Sequence, residues 1–219
     1  MLRYPCLVLD HDDTVVQSET TVNYDFFLGF LGQVRPGATI SVQDYVRICC
    51  SEGFNTLCKR YYRMTDEEMD RQYIQWKAYV MTHIPPPFPG MKALLHRFRK
   101  AGGILCVASQ SSRDNILRDY DQHFSLTPDA IYDCELPPEQ QKPSPYALFD
   151  IMNTYGFSPD QLLMVDDALA ARKMAAAAGV KFAFAGWSRL DFPDLAAQMK
   201  ASCDLSFDSV AELEKYLFE

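Results

Sequence analysis

Asp10-His11-Asp12-Asp13-Thr14, Ser109, Lys142 and Asp166-Asp167 are the residues of this chain best equipped for chemistry, and each stands at or just beyond the end of a predicted strand. Together they offer two carboxylates two residues apart, a hydroxyl donor, a cation and a second acidic pair. That inventory suits transfer of a phosphoryl group, whose transition state needs a cation and hydrogen-bond donors, with hard oxygens to hold a magnesium ion. Asp10, ionised, could attack phosphorus and form an aspartyl-phosphate. Asp12, protonated, could donate to the leaving alcohol and later activate water. Acids this close repel one another, so a divalent cation is needed for them to be ionised together.

Each group alone has an ordinary reading. A short acidic loop can cap the following helix, a serine after a strand is commonly a turn or cap residue, and a lysine between Gln141 and Pro143 can be a solvated loop residue. Asp166-Asp167 can cap a helix too, although two adjacent acids at the end of the apolar run Leu162–Val165 are costly without a cation. What favours one joint site is that all four groups fall at strand ends, the edge of a parallel sheet where ligands bind.

The elements that must position them follow from pattern and punctuation. Continuous apolar runs at Cys6–Asp10, Ile104–Ala108, Leu162–Val165 and Lys181–Ala185, with a shorter one at Ala130–Tyr132, predict strands buried on both faces. Helices alternate with them: Met91 to Lys100, one starting near Ser112, one from Ser144-Pro145 to Gly156, a small-residue helix ending at Gly179, and a last one capped by Ser209 with Glu212. This alternation implies a parallel α/β sheet. The stretch from Tyr24 to Ile84 instead reads as helical, with a capping-box spacing at Thr65-Asp66-Glu67-Glu68. Pro85-Pro86-Pro87-Phe88-Pro89-Gly90 closes it, because no helix passes through such a run.

A chain of 219 residues that is 48% hydrophobic and 23% charged can bury a core. No apolar run approaches the roughly 18–20 residues of a membrane helix, and the first residues lack the pattern of a signal peptide. Seven cysteines without CxxC spacing read as buried free thiols of a reducing cytoplasm. A net charge of −8 argues against nucleic acid as a partner.

The order DxD-x-T, Ser, Lys-Pro and Asp-Asp resembles the four signature motifs of the haloacid dehalogenase-like hydrolase superfamily. The resemblance spans nearly the whole chain: YPCLVLDHDDTVVQSE, PFPGMKALLHRFRKAGGILCVAS, QKPSPYALFDIMNTYGFSPDQLLMVDDALAARKMAAAAG and CDLSFDSVAELEKYL each match a family segment. It implies a Rossmann-like α/β core, residues 1–14 and 88–219, with strand order 5-4-1-2-3. Residues 15–87 would be a helical C1-type cap inserted after the first strand, as in the phosphoglycolate phosphatase and beta-phosphoglucomutase subgroup. It further implies Asp10 as nucleophile, Asp12 as general acid/base, Ser109 and Lys142 on the phosphoryl oxygens, and Mg²⁺ held by Asp10, Asp12 (through its backbone carbonyl), Asp166 and Asp167. Which of the last two ligates directly stays open.

The sequence departs from the family pattern at Asp13, where glycine is usual, and at Ala171, where a further acid is common. Dehalogenases and phosphonate-cleaving members lack an acid at the place of Asp12, so its presence resembles a phosphatase or a phosphomutase. The expected protein is a cytoplasmic Mg²⁺-dependent phosphatase of a small phosphorylated metabolite, monomeric or homodimeric. A sugar-phosphate mutase and a catalytically idle binding protein are the alternatives. The acidic segment LLMVDDALAARK also resembles a response-regulator receiver, but too few residues follow Asp166 for that domain of about 100 residues or more.

Specificity is expected from the cap, where Glu52 and Asn55 lie in a loop that resembles the family's specificity loop. Lys59 and Arg60, with Arg63, either meet a second anionic group of the substrate or form a solvated face paired with Asp66, Glu67, Glu68 and Asp70. Tyr24, Phe26, Phe27 and Phe30 read as cap core or as a platform for a sugar or base.

Overall fold

In the computed structural model, which describes residues 2–219, the apolar run at the start of the chain forms the central strand of a parallel sheet. The elements in chain order are β1 (Cys6–Leu9), α1 (Tyr24–Val34), α2 (Val42–Ser51), α3 (Phe54–Thr56), α4 (Asp66–Val80), α5 (Met91–Lys100), β2 (Ile104–Ala108), α6 (Arg113–Asp119), β3 (Ala130–Tyr132), α7 (Tyr146–Tyr155), β4 (Leu162–Asp166), α8 (Leu169–Ala178), β5 (Lys181–Ala185), α9 (Pro193–Lys200), β6 (Leu205–Phe207) and α10 (Val210–Phe218). The sheet order is β3-β2-β1-β4-β5-β6, with every pairing parallel. The expected order of five strands is present, and the closing strand β6 extends it at one edge.

Both faces of the sheet are covered, which is why the strands are apolar throughout rather than alternating. Side chains still divide by the period of two. Val8, Cys106 and Met164 point into the face packed with α7, α8 and the helices of the 24–80 stretch. Leu9, Val107 and Val165 point into the face packed with α5, α6 and α10. The register aligns Leu9 with both Val107 and Val165, so the residues just after them emerge together at one edge. The chain steps from β1 to β2 to β3 on one side, then crosses to β4 on the other. The crevice between β1 and β4 is therefore the switch point of the sheet.

Helix signals hold closely. Thr65 and Glu68 form the reciprocal capping box that starts α4, and Ser209 accepts from the Glu212 amide ahead of α10. Gly156 and Gly179 end α7 and α8 in the left-handed conformation. One boundary differs: α7 begins at Tyr146, with Pro145 outside it, because the first helical bond runs from the Phe149 amide to the Pro145 carbonyl at 3.1 Å, which makes Pro145 and not Ser144 the cap residue.

The 24–80 helices leave and rejoin the sheet at one place. Val16 bridges antiparallel to Pro87, and the Gln17 amide donates to the Pro86 carbonyl at 2.9 Å. Phe88 then donates to Val15 at 3.1 Å. The outgoing and returning strands of the connection are thus zipped side by side directly beneath the acidic loop.

Candidate active site

Asp10 leaves β1 with its amide bonded to the Val165 carbonyl at 2.9 Å, which places it against the end of β4. Lys142 reaches both strands' acids: its Nζ donates to Asp10 Oδ1 at 2.7 Å and to Asp166 Oδ2 at 2.6 Å. The lysine is nearly enclosed, with only 7% of its side chain exposed. Burial works against its charge, but Asp10 and Asp166 outweigh it and hold the ammonium above its ordinary value. Gln141 fixes the loop that carries it, donating to the Cys134 and Leu136 carbonyls. The Ser109 amide continues the β2–β3 ladder by bonding the Tyr132 carbonyl at 2.8 Å, so Ser109 stands at the same edge.

Asp12 is oriented differently. Its carboxylate accepts from the Ser18 hydroxyl at 2.5 Å, and burial pushes its carboxyl up from the ordinary range. It therefore carries a proton more readily than a solvated aspartate, as a general acid requires. Between the two acids, His11 is wholly buried and its Nε2 lies 2.9 Å from Asp119 Oδ2. Burial disfavours the charged imidazole, yet the Asp119 bond and the neighbouring acids raise it overall. Arg118 holds the other Asp119 oxygen and also donates to the Val80 carbonyl at the end of α4. A continuous polar chain thus joins the acidic loop to the end of the 24–80 helices.

The residue that reading the sequence missed is Arg189. Only 2% exposed, it donates to Asp13 through Nη1 and to Asp167 through Nη2. It rides on the short turn Gly186–Arg189 after β5. Gly186 is required there, because a Cβ would come within 2.8 Å of the Phe207 carbonyl oxygen. No motif marks a lone arginine after Trp-Ser; the only available signal was Asp13 itself, a surplus acid that needed a partner. The backbone of Asp13 has a φ of +54°, the region that glycine usually fills, which aspartate tolerates through local hydrogen bonds. Its Oδ1 accepts from the Glu19 amide at 3.0 Å, supplying that bond.

These pairs bear on whether a metal would fit. Asp10, Asp166 and Asp167 each offer a buried carboxylate oxygen, all within 4.8 Å of one another. Both oxygens of Asp166 already accept hydrogen bonds, from Lys142 and from the Ala168 amide. Four aspartates (10, 13, 166 and 167) face only Lys142 and Arg189, so the cluster cannot be fully ionised without further positive charge. Burial accordingly pushes Asp166 well above the usual range and Asp167 up to about 7, against the pull of Lys142 and Arg189. A hard divalent cation such as Mg²⁺ matches both the oxygen donors and the missing charge.

Above the acids lies a chamber of about 610 Å³, within the range of small-molecule sites. Asp10, Asp12, Ser109, Lys142, Asp166 and Asp167 all line it from below. Among the expected specificity residues, Glu52 and Asn55 line it and Lys59 and Arg60 do not. Lys59 is paired with Asp66 at 2.7 Å, and Arg60 is 78% exposed beside Glu52 at 3.6 Å, which is the solvated-face arrangement. Phe26, Phe27 and Phe30 are buried core with Tyr24 packed against them, and Phe26 and Phe27 lie at the chamber wall. All seven cysteines are free thiols. No helix among the described residues is long and apolar enough to cross a membrane.

Residues 7–185 match the sequence profile of the haloacid dehalogenase-like hydrolases. Among curated proteins none matches the chain. Several solved structures share its fold. A predicted phosphoglycolate phosphatase from Haemophilus somnus 129PT is 18% identical, covers 99% of each chain and gives a TM-score of 0.72. CbbY from Rhodobacter sphaeroides in complex with phosphate is 19% identical over 97% of this chain and 96% of its own, with a TM-score of 0.73. A predicted phosphatase from Clostridium acetobutylicum is 16% identical over 97% of each, with a TM-score of 0.75. At such identities the likeness is one of fold.

Proposed function

Because the chain belongs to the haloacid dehalogenase-like hydrolase family, we propose that it is a Mg²⁺-dependent phosphatase of a small phosphorylated metabolite, working through an aspartyl-phosphate on Asp10. The observation that carries this reading is the placement of Lys142 between Asp10 and Asp166, with Asp167 beside them and more buried carboxyls than cations to pair them.

In the proposed reaction an oxygen of Asp10 forms a bond to phosphorus as the ester P–O bond breaks, and the proton of Asp12 goes to the departing alcohol. Water then loses a proton to Asp12 and attacks phosphorus, breaking the Asp10–phosphorus bond and releasing inorganic phosphate. The Lys142 ammonium and the Ser109 hydroxyl meet the phosphoryl oxygens throughout. Mg²⁺ would be held by the carboxylates of Asp10, Asp166 and Asp167 with the Asp12 carbonyl, and would supply the remaining positive charge. The bond from Ser18 keeps Asp12 aimed and separate from the metal-facing acids.

Residues 15–87 act in this reading as a cap over a core of residues 1–14 and 88–219. The zipped entry and exit at Val16 and Pro87 support a hinge at those bounds. Opposite it, the Cys50 thiol donates to the Asp167 carbonyl at 3.0 Å, and Tyr73 donates to Glu135 at 2.9 Å. Such closure excludes water from the first step.

Phosphate release from a panel of phosphate monoesters, with Mg²⁺ or with EDTA, tests the proposal. Release that requires Mg²⁺ and disappears in Asp10→Asn is expected. Turnover retained in Asp10→Asn would overturn the mechanism, and a phospho-enzyme that releases no phosphate would favour the mutase.

A further inference from the structure

The chamber's two halves differ in a way that bears on its substrate. Every cation in the enclosed lining is committed below. Lys142 is bonded to Asp10 and Asp166, and Arg189 to Asp13 and Asp167. The remaining lysine of the lining, Lys173, is exposed on α8. On the helical side the charged residues are acids, Glu19 and Glu52. A second phosphate or carboxylate on the substrate would enter this half without a partner, a costly burial.

What the upper half does offer is rings and carboxamides. Tyr73 and Trp76 lie on α4 with centroids 6.0 Å apart and planes 28° from parallel, and both face the chamber with Phe26 and Phe54. Gln72, on the same helix, is only 6% exposed, lines the chamber, and its carboxamide has no hydrogen-bond partner among the described residues. Its amide group therefore opens onto the chamber, where a ligand could bond it. Asn23 is half satisfied: its Oδ1 accepts from the Trp76 indole at 3.0 Å, leaving its amide nitrogen toward the same space. A carboxamide gives one acceptor and two donors. That pairs with hydroxyls, carbonyls or ring nitrogens, and does not neutralise an anion.

Resting on the phosphatase reading, we infer that the substrate is the phosphate monoester of an uncharged, ring-bearing alcohol, a nucleoside or a sugar, with Gln72 and Asn23 binding the ring's polar edge between aromatic side chains. Esters that carry a second anionic group are excluded.

Two measurements separate this inference from the reading beneath it. Hydrolysis of acetyl phosphate, which needs only the phosphoryl site, tests the phosphatase alone. Calorimetric affinities with Mg²⁺ present, measured on Asp10→Asn so that no ligand is consumed, test the upper half whether or not turnover occurs. The ligands are a nucleoside 5′-monophosphate, glucose 6-phosphate, phosphoglycolate and fructose 1,6-bisphosphate. One of the first two should bind at least about tenfold more tightly than either of the last two, and the order of the first pair says whether a base or a sugar fills the space. Gln72→Leu should weaken the preferred ligand by about tenfold, the loss of one buried hydrogen bond. Phosphoglycolate or the bisphosphate binding as tightly as the neutral esters would overturn the inference. So would affinity for them that vanishes in Lys173→Ala, or a preferred affinity untouched by Gln72→Leu. Values of kcat/KM on the unaltered protein read the same order without any variant.

Discussion

Beneath the chamber, at the ends of β1 and β4, four aspartates are stitched to two buried cations; above it, α1 and α4 present rings and carboxamides. The paired cations are concentrated where the sheet fixes the backbone, and the proposed cap brings rings and carboxamides with two acids, Glu19 and Glu52, and no cation to the chamber. The seam between them follows the same division. Cap-to-core contacts opposite the hinge include a thiol to a carbonyl, a phenol to Glu135, and the exposed Lys77–Glu135 pair at 2.6 Å. The ion pairs that cross the seam among the described residues, Lys77 with Asp114 and with Glu135, are exposed, so opening breaks no buried pair among them. A buried pair that loses one partner costs about 3–5 kcal/mol, so ions confined to one side allow motion that ions across the seam would forbid.

Arg189→Met tests that division most severely. It leaves Asp13 and Asp167 buried without a cation, and should lower stability by about 3–5 kcal/mol. Thermal unfolding should drop by about 6–20 °C; a loss below about 1 kcal/mol would show that these pairs are not the anchor of the site. Lys142→Met should cut kcat by about 10²–10³-fold, as loss of one charge-stabilising group does, whereas a change below tenfold would remove Lys142 from the phosphoryl site.

The boundary between the halves can be read by pH. Burial pushes Glu19 up to about 8 from 4.5. The native state therefore holds a proton that the unfolded chain releases, and this contribution to stability is complete below about pH 4.5 and lost as pH rises through 8. Glu19→Gln should match the native protein at pH 5 and exceed its Tm at pH 9 by about 3 °C, about 1 kcal/mol. Equal pH profiles for the two proteins would contradict it. The smallest effect belongs to the seam: Glu135→Ala removes exposed contacts worth at most about 1 kcal/mol, and should change KM less than about fivefold with kcat held.

The same contrast explains what the sequence could tell. The strands and the helix caps were legible because burial on both faces and capping chemistry leave local patterns, as at Leu162–Val165 and Thr65-Glu68. The acids of the floor were legible because strand ends in a parallel sheet converge. Arg189 was not, since its partners Asp13 and Asp167 are distant in sequence and a single arginine has no period. Nor was the bond from Asp119 to His11, which joins the start of the chain to α6. The roof was hidden for another reason: Gln72 and Trp76 look like ordinary residues of an exposed helix until α4 is laid over the acids.

The most direct test of the central claim is acid-quenched mass spectrometry of the protein mixed with a turned-over phosphate ester, with the modified peptide mapped. The account predicts one phosphoryl group on Asp10 in Mg²⁺, absent in EDTA and absent in Asp10→Asn. Phosphate release with no label on Asp10 at any time, or undiminished release in EDTA, would contradict it.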